Sequence, residues 1–412
     1  MVIGILKKIA EFKFILLIFL IMVSVMSFAD LLPLDIKRSA YTFSSLIRAG
    51  LMFCLPLLVL PFVVSSIALL RSNGLILIFS LVFLITASNF LSIIIGGQVA
   101  AAVVPLMNFG MTFNAGDAQE LLGWFEVTLE PPISVEIILL LGFIFGFLLS
   151  LLPSDHHLGS RALKFFESYK RISTLFFQKI FIPLLPFYIF GMLLKLDAEN
   201  DFATVFKDFG SLILVIVAVQ FSYIFFVFWV GNKYSFRKVI QCYKNVMPAG
   251  LLGFSTMSSL VTMPVTLEAA EKNLGDKAIA QVAITSTVNC HDIGECISLS
   301  VIASAVYLMA NGMIMPDFWT FTQFAFILAV AQFTGVSVPG GSVVIIIPLL
   351  TKYLGFSPEM IGLVTTMAIF MDPIGTANNV VGNSAFALII QRYFNLIKGK
   401  LRKTSSPQAA KF

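Results

Sequence analysis

The chain has 412 residues, 58% of them apolar and 12% charged, which leaves too little polar surface to clothe a soluble globule of that size. Its net charge of +5 falls in short clusters between apolar runs, a membrane-topology signal and not the footprint of a nucleic-acid binder. The four cysteines, Cys54, Cys242, Cys290 and Cys296, form no CxxC pair and imply neither a zinc cluster nor a disulfide framework.

Uncharged runs long enough to cross a hydrocarbon core of about 30 Å recur along the chain. Lipid offers backbone groups no partner, so such runs must be helices. The first, Phe14 to Ala29, follows Lys7, Lys8 and Lys13 and ends in Ser-Phe-Ala. A cleaved leader and an uncleaved first span share that pattern, and the uncleaved span is preferred. Six spans are expected, at about 14 to 34, 45 to 70, 75 to 106, 135 to 153, 174 to 196 and 209 to 231.

Basic residues mark every second connection: the N-terminus, Arg71, the group Arg161, Lys164, Lys170 and Arg171, the group Lys233, Arg237, Lys238 and Lys244, and the tail from Lys398 to Lys403. The intervening loops carry Asp117, Glu120, Glu126 and Glu130, or Asp197, Glu199 and Asp201. Retention of Lys and Arg on the inner face predicts a multi-pass protein of the cell membrane with both termini in the cytoplasm. His156 and His157 fall in a basic loop and read as solvated surface.

Beyond Lys244 the apolar segments fill with Gly, Pro, Ser, Thr and Asn. The stretch 245–267 contains Pro248, Gly250, Gly253, Ser255, Thr256, Ser258, Ser259, Thr262 and Pro264, so its middle has many alternatives to an unbroken helix. A hairpin at about 243 to 272 is expected. Residues 318–350 would span about 50 Å as one helix, yet their centre reads Gly335-Val336-Ser337-Val338-Pro339-Gly340-Gly341-Ser342, predicting a second hairpin at about 317 to 353. Each hairpin is followed by an apolar stretch with a polar break: Thr287 to Asp292 in a span at about 276 to 315, and Asp372 to Asn379 in one at about 356 to 397. Paired interruptions at corresponding places in two repeats point to a transporter's midplane site.

At these residues the sequence resembles the dicarboxylate/amino acid:cation symporter family, which includes the glutamate transporters. The family's serine-rich tip followed by Thr-Leu-Pro looks like Ser258-Ser259-Leu260-Val261-Thr262-Met263-Pro264, and its Gly-Val-Pro-Gly looks like Ser337-Val338-Pro339-Gly340. The pattern Asp-x-x-Arg-Thr-x-x-Asn-Val-x-Gly-Asp falls onto Asp372, Gly375, Thr376, Asn379, Val380, Gly382 and Asn383. The resemblance implies an all-α integral membrane fold of eight transmembrane helices plus two re-entrant helical hairpins, with inverted repeats and elevator-type movement. Residues 1–74 (spans 1 and 2) and 135–208 (spans 4 and 5) would be the scaffold. Span 3 with its acidic loop (75–134) and residues 209–412, which end in a basic cytoplasmic tail, would supply the moving core. A homotrimer is also implied.

An ionisable residue inside an apolar segment, such as Asp372, costs at least about 2.5 kcal/mol unless paired or wet. The resemblance gives it the substrate ammonium and gives Asn379 the carboxylate, with Thr376 nearby. As alternatives, Asp372 caps a helix at Pro373 and Asn379 ties helices together. Ser258 and Ser259, with Thr262 behind them, would offer donors to the carboxylate at a half-helix N-terminus. Val338, Pro339 and Gly340 would form a lid.

Two departures carry weight. Gly375 stands where the family places an Arg for a distal carboxylate, and Met257 stands where some members place another, so a smaller or neutral side chain is expected; a dicarboxylate would need another cation, such as Arg48 or Lys179, to reach the site from the membrane edge, and their positions there disfavour it. The family's Asn-Met-Asp-Gly becomes Asn289-Cys290-His291-Asp292, and Asn383 replaces an Asp. Thr86, Ser88 and Asn89 still offer oxygens to a cation, and Asn289, Asn379 and Asn383 are the sodium candidates. A proton is the alternative, taken by His291 near Asp292 and Glu295. The expected partners are a small carboxylate or amino-acid solute, a coupling Na+ or H+, and lipid, with no organic cofactor and no nucleic acid. An ion channel built on the re-entrant segments is the rival reading. An enzyme using Cys290, His291 and Asp292 is disfavoured, because consecutive helical residues point apart.

Overall fold

A computed structural model describes residues 16–68, 75–107, 121–152 apart from 126, 128 and 130, 157–199, 202–335 and 341–404. Among the described residues all regular structure is helical, without a strand. After a first helix within Leu16–Leu31 come α2 (Leu34–Ala68), α3 (Leu75–Val103), α4 (Val135–Leu151) and α5 (His157–Phe176). A π-helical turn, Phe177–Phe181, joins α5 to α6 (Ile182–Glu199). Then follow α7 (Phe202–Gly231), α8 (Phe236–Thr256), α9 (Ser259–Leu274), α10 (Lys277–Thr287), α11 (Ile293–Ala310), α12 (Phe318–Ala331), α13 (Gly341–Leu354) and α14 (Pro358–Thr404). Among the described residues six helical stretches, one of them the joined α5 and α6, are long and apolar enough to cross a membrane by length and composition.

Several boundaries differ from expectation, for physical reasons. Helix α2 begins at Leu34, well before the expected 45, because Asp35, Lys37 and Arg38 continue the helix beyond the part that is apolar; hydropathy marks lipid, not helicity. The fifth span is one end of a 42-residue helical stretch, His157–Ala198, whose π-turn precedes Pro183 and Pro186, residues that supply no backbone donor. His157 is exposed at the start of α5, and His156 lies outside the described residues. The expected break at Asp372 to Asn379 is not there: α14 runs unbroken for 47 residues through Pro373, so Asp372 is interior to a helix and caps nothing. A proline withholds only its own N–H, a loss that one turn of a long, packed helix absorbs.

The helices pack in two groups. Helix α2 lies against α4, α5 and α6. Gly142 and Gly146 of α4 sit on Val63 and Ile67, and Gly191 of α6 sits on the Ala40 backbone, so missing side chains let these helices approach closely. In the second group α11 is wedged between α3 and α14, with Gly96 of α3 3.1 Å, counted from the Cβ it lacks, from Ser300 Cβ, while α14 is also flanked by α7, α8 and α9. The groups meet along α6 and α14, where Gly362 faces Met192 and Lys195 Nζ lies 3.0 Å from Glu359 Oε1. Both of these charges are largely buried, and the ammonium also covers the Tyr41 ring at 4.5 Å.

Candidate functional site

Helices α8 and α9 pack against each other around a two-residue turn, Met257 and Ser258. Asn245 Nδ2 of α8 donates to Asn273 Oδ1 of α9 (2.8 Å), which closes the open end. At the tip, Met257 adopts a left-handed conformation (φ 47°) and Ser258 is extended. Ser258 Oγ accepts from Val261 N as the N-cap of α9, which keeps its hydroxyl proton for another acceptor. Ser259 is half-buried beside it. Thr262 is fully buried and its hydroxyl donates to Ser259 O (2.8 Å) within its own helix. Gly250 and Gly253 seat this tip against Val381, Val380, Ala377 and Thr376, near the middle of α14.

The break between α10 and α11 falls at Val288 to Asp292, as the polar run predicts. It too lies against the middle of α14. A side chain at Gly294 would overlap the Gly375 carbonyl oxygen, and the N–H groups of Gly294 and Glu295 donate to Asn379 Oδ1 at 2.8 and 3.2 Å. The amide oxygen of Asn379 therefore caps α11, and its NH2 is the end left to meet an anion. Asp372, 6% exposed, accepts from the Thr376 hydroxyl (3.3 Å) one turn before Asn379. Asp372, Thr376 and Asn379 thus share a face of α14 with Gly375, and a Cβ at Gly375 would lie 3.3 Å from Glu295 Cγ.

His291 is wholly buried. Its Nε2 lies 2.9 Å from Ser88 Oγ of α3, its Nδ1 2.7 Å from Asn383 Oδ1 of α14, and its ring stacks on Phe386. Asn89 donates to Cys290 O (2.7 Å), and its own Oδ1 is buried without a hydrogen-bond partner. Thr86, half-buried on α3, hydrogen-bonds to none of these groups. Asn289 lies half-buried at the break, where its carbonyl oxygen would be 2.5 Å from a Cβ on Gly335, the left-handed residue closing the short 3-10 turn after α12. Val338, Pro339 and Gly340 lie outside the described residues. Among the described residues no group of three or more His, Cys, Asp or Glu is placed to hold a metal ion. Asn379 Oδ1 accepts from two N–H groups and Asn383 Oδ1 lies against a ring nitrogen, while Asn89 Oδ1 is buried without a hydrogen-bond partner.

One network was not foreseen. Asn378 donates to Gln220 Oε1 (2.8 Å), and Gln220 Nε2 donates to Gly294 O (2.7 Å) and Ser298 Oγ (2.8 Å), stitching α7, α11 and α14 together behind the site. The signal was a lone amide, Gln220, within an otherwise apolar run.

The family model "sodium:dicarboxylate symporter family" matches residues 2–393. An uncharacterized symporter of Haemophilus influenzae is 25% identical over 279 residues, covering 66% of this chain and 61% of the relative. A serine/threonine transporter of Bifidobacterium adolescentis is 26% identical over 53% of this chain and 51% of the relative, and excitatory amino acid transporter 2 of Mus musculus is 26% identical over 50% and 36%. The chain thus spans between about a third and three fifths of the length of the curated relatives it matches.

Proposed function

This chain belongs to the sodium:dicarboxylate symporter family, a family of transporters, and from that premise we propose that it is a secondary active symporter of a small amino-acid or carboxylate solute. The observation that carries the reading is the meeting of the α8–α9 tip and the α10–α11 break at the middle of α14, beside Asp372, Thr376 and Asn379. Irregular backbone at membrane depth is tolerated where it lines a cavity or is buried in protein, and half-helix N-termini favour anions. Here the solute carboxylate takes the N–H groups at Ser258 and Ser259 and the Asn379 amide, and its ammonium takes Asp372. The α2, α4, α5 and α6 group is the scaffold against which the α3, α7 to α14 group moves, with both termini cytoplasmic. Three such chains associate, which holds the scaffolds still while each core carries its load.

The family name implies a coupling cation, and the geometry favours a proton on His291. With Nδ1–H donating to Asn383 Oδ1, Nε2 accepts from the Ser88 hydroxyl; once protonated, Nε2–H donates to the same Ser88 oxygen, whose proton turns toward the preceding helical turn. The imidazole gains or loses a proton without orphaning either nitrogen. Reconstituted protein tests this: uptake should saturate, show counterflow and follow an imposed proton gradient without sodium. Uptake driven by sodium alone would transfer the coupling role to oxygens such as Asn89 Oδ1, and unitary currents without counterflow would mark a channel instead.

A further inference from the structure

Among the described residues two ion pairs cross from one helix group to the other, and both lie at the same end of the interface. Lys352 Nζ, in the last turn of α13, is 2.7 Å from Glu136 Oε1 in the first turn of α4, and the Tyr353 hydroxyl donates to that same oxygen (3.2 Å). Lys195 Nζ of α6 is 3.0 Å from Glu359 Oε1 in the first turn of α14. Lys352 and Glu359 stand on either side of the short turn between α13 and α14, where Gly355 reverses the chain in the left-handed conformation (φ 64°) and Phe356 N–H donates to Leu350 O (3.2 Å). The turn presents one cation and one anion, and the α2, α4, α5 and α6 group answers with an anion and a cation. A slide that exchanged the partners would set like charges together.

None of these charges depends on its partner alone. Glu136 and Glu359 sit at helix N-termini and Lys352 at a helix C-terminus, where the backbone dipoles favour their signs. Lys195 also meets the Tyr41 ring of α2 (4.5 Å) and the Leu121 carbonyl (3.4 Å), whose loop is tied to α2 by the Trp124 N–H donating to Thr42 Oγ1 (2.9 Å). The pairs can therefore open and re-form without stranding a buried charge, as a contact between two bodies that move past each other requires. We propose that the two ion pairs are a clasp that sets how readily the α3 and α7 to α14 group leaves this docked arrangement, with Glu136 and Lys195 as positioning residues for the transport step. This rests on the carrier reading above. Movement of the core along the scaffold parts Lys352 from Glu136 and Glu359 from Lys195. The clasp acts on the rate of crossing and not on solute affinity, because Asp372 lies about 20 Å along α14 from Glu359.

The test uses the full-length chain in liposomes, spin-labelled at Asp35→Cys in the first turn of α2 and at Ile314→Cys before α12, both exposed positions, with distances read by pulsed dipolar resonance. The wild type should show one dominant distance. Glu136→Gln should raise the population of a second distance about threefold, and Glu136→Lys, which sets two ammonium groups together, about tenfold. Glu136→Lys with Lys352→Glu rebuilds the pair with its polarity reversed and should return the distribution to within about twofold of wild type. The buried pair is left unreversed, since a carboxylate at position 195 would face the Leu121 carbonyl and the Tyr41 ring. Exchange of labelled L-serine or L-aspartate should quicken about threefold in Glu136→Gln at an unchanged half-saturating concentration. Distances that neither single variant alters, or a reversed pair no closer to wild type than Glu136→Lys alone, overturn the clasp, and exchange by the wild type then leaves the carrier reading standing. So does a Glu136→Gln protein whose exchange slows as its unfolding temperature falls, the mark of an ordinary structural contact. One distance in every variant, with no exchange by the wild type, overturns both.

Discussion

Replacing Gly294 with Ala tests the seating of α11 on α14. The new methyl would overlap the Gly375 carbonyl oxygen, lie 2.9 Å from Asn378 Cβ and 3.0 Å from Asn379 Oδ1, and two of these three neighbours belong to the α14 backbone or to a Cβ that cannot swing away. Restoring ordinary contact requires α11 to retreat on the order of 1 Å. Overpacking of this kind costs about 1–3 kcal/mol, and stretching the hydrogen bonds from Gly294 N and Glu295 N to Asn379 Oδ1 adds about 1 kcal/mol each. The expected loss is about 3–5 kcal/mol in denaturant unfolding of the detergent-solubilised protein. Because the retreat also displaces Asn379, ligand affinity should fall on the order of 100-fold. Gly210→Ala is the control: nothing lies within 4 Å of that Cβ, so it should be neutral or stabilise by up to about 1 kcal/mol. Equal stability and equal ligand affinity for Gly294→Ala and Gly210→Ala would refute the close approach of the two helices and the site built on it.

Further outcomes follow from other contacts. Glu359→Gln removes the carboxylate 3.0 Å from the largely buried Lys195 ammonium, which still meets Leu121 O and the Tyr41 ring, and should destabilise by about 1–3 kcal/mol, whereas Lys195→Met with Glu359→Leu should recover most of that in the same unfolding assay. His291→Gln should abolish proton-driven uptake while sparing counterflow; retained proton drive would remove His291 from the coupling step. Ser88→Ala and Asn383→Leu, which each deprive a different nitrogen of one imidazole of its partner, should each cost about 1–3 kcal/mol and be non-additive in a double-mutant cycle, with a coupling of about 0.5–3 kcal/mol.

Much of this was legible in the residues. Pro248, the serines at 258 and 259 and Pro264 announce a broken segment, and the polar run at 287 to 292 marks the break that follows, because in lipid such residues survive only where they line a cavity or meet one another. The details that hydropathy cannot carry are those of direction. Asp372 to Asn379 has the composition of a break but forms continuous helix, since the Thr376 hydroxyl and the Asn378 amide bond back to Asp372 and Ile374 one turn earlier. That Asn379 turns its oxygen toward α11, that Thr262 spends its hydroxyl on Ser259, and that Glu295 faces Gly375 depend on how three helices are rotated about their axes. A methionine at the left-handed tip position is likewise set by tertiary packing, for local preference favours Gly or Asn there.

The most direct measurement is equilibrium binding of the best-stabilising amino acid to Asp372→Asn. The substitution keeps an acceptor for the Thr376 hydroxyl but removes the charge that meets the ammonium, so affinity should fall about 10- to 100-fold with the unliganded protein as stable as before. Undiminished affinity in a folded Asp372→Asn protein would contradict the placement of the solute at the middle of α14.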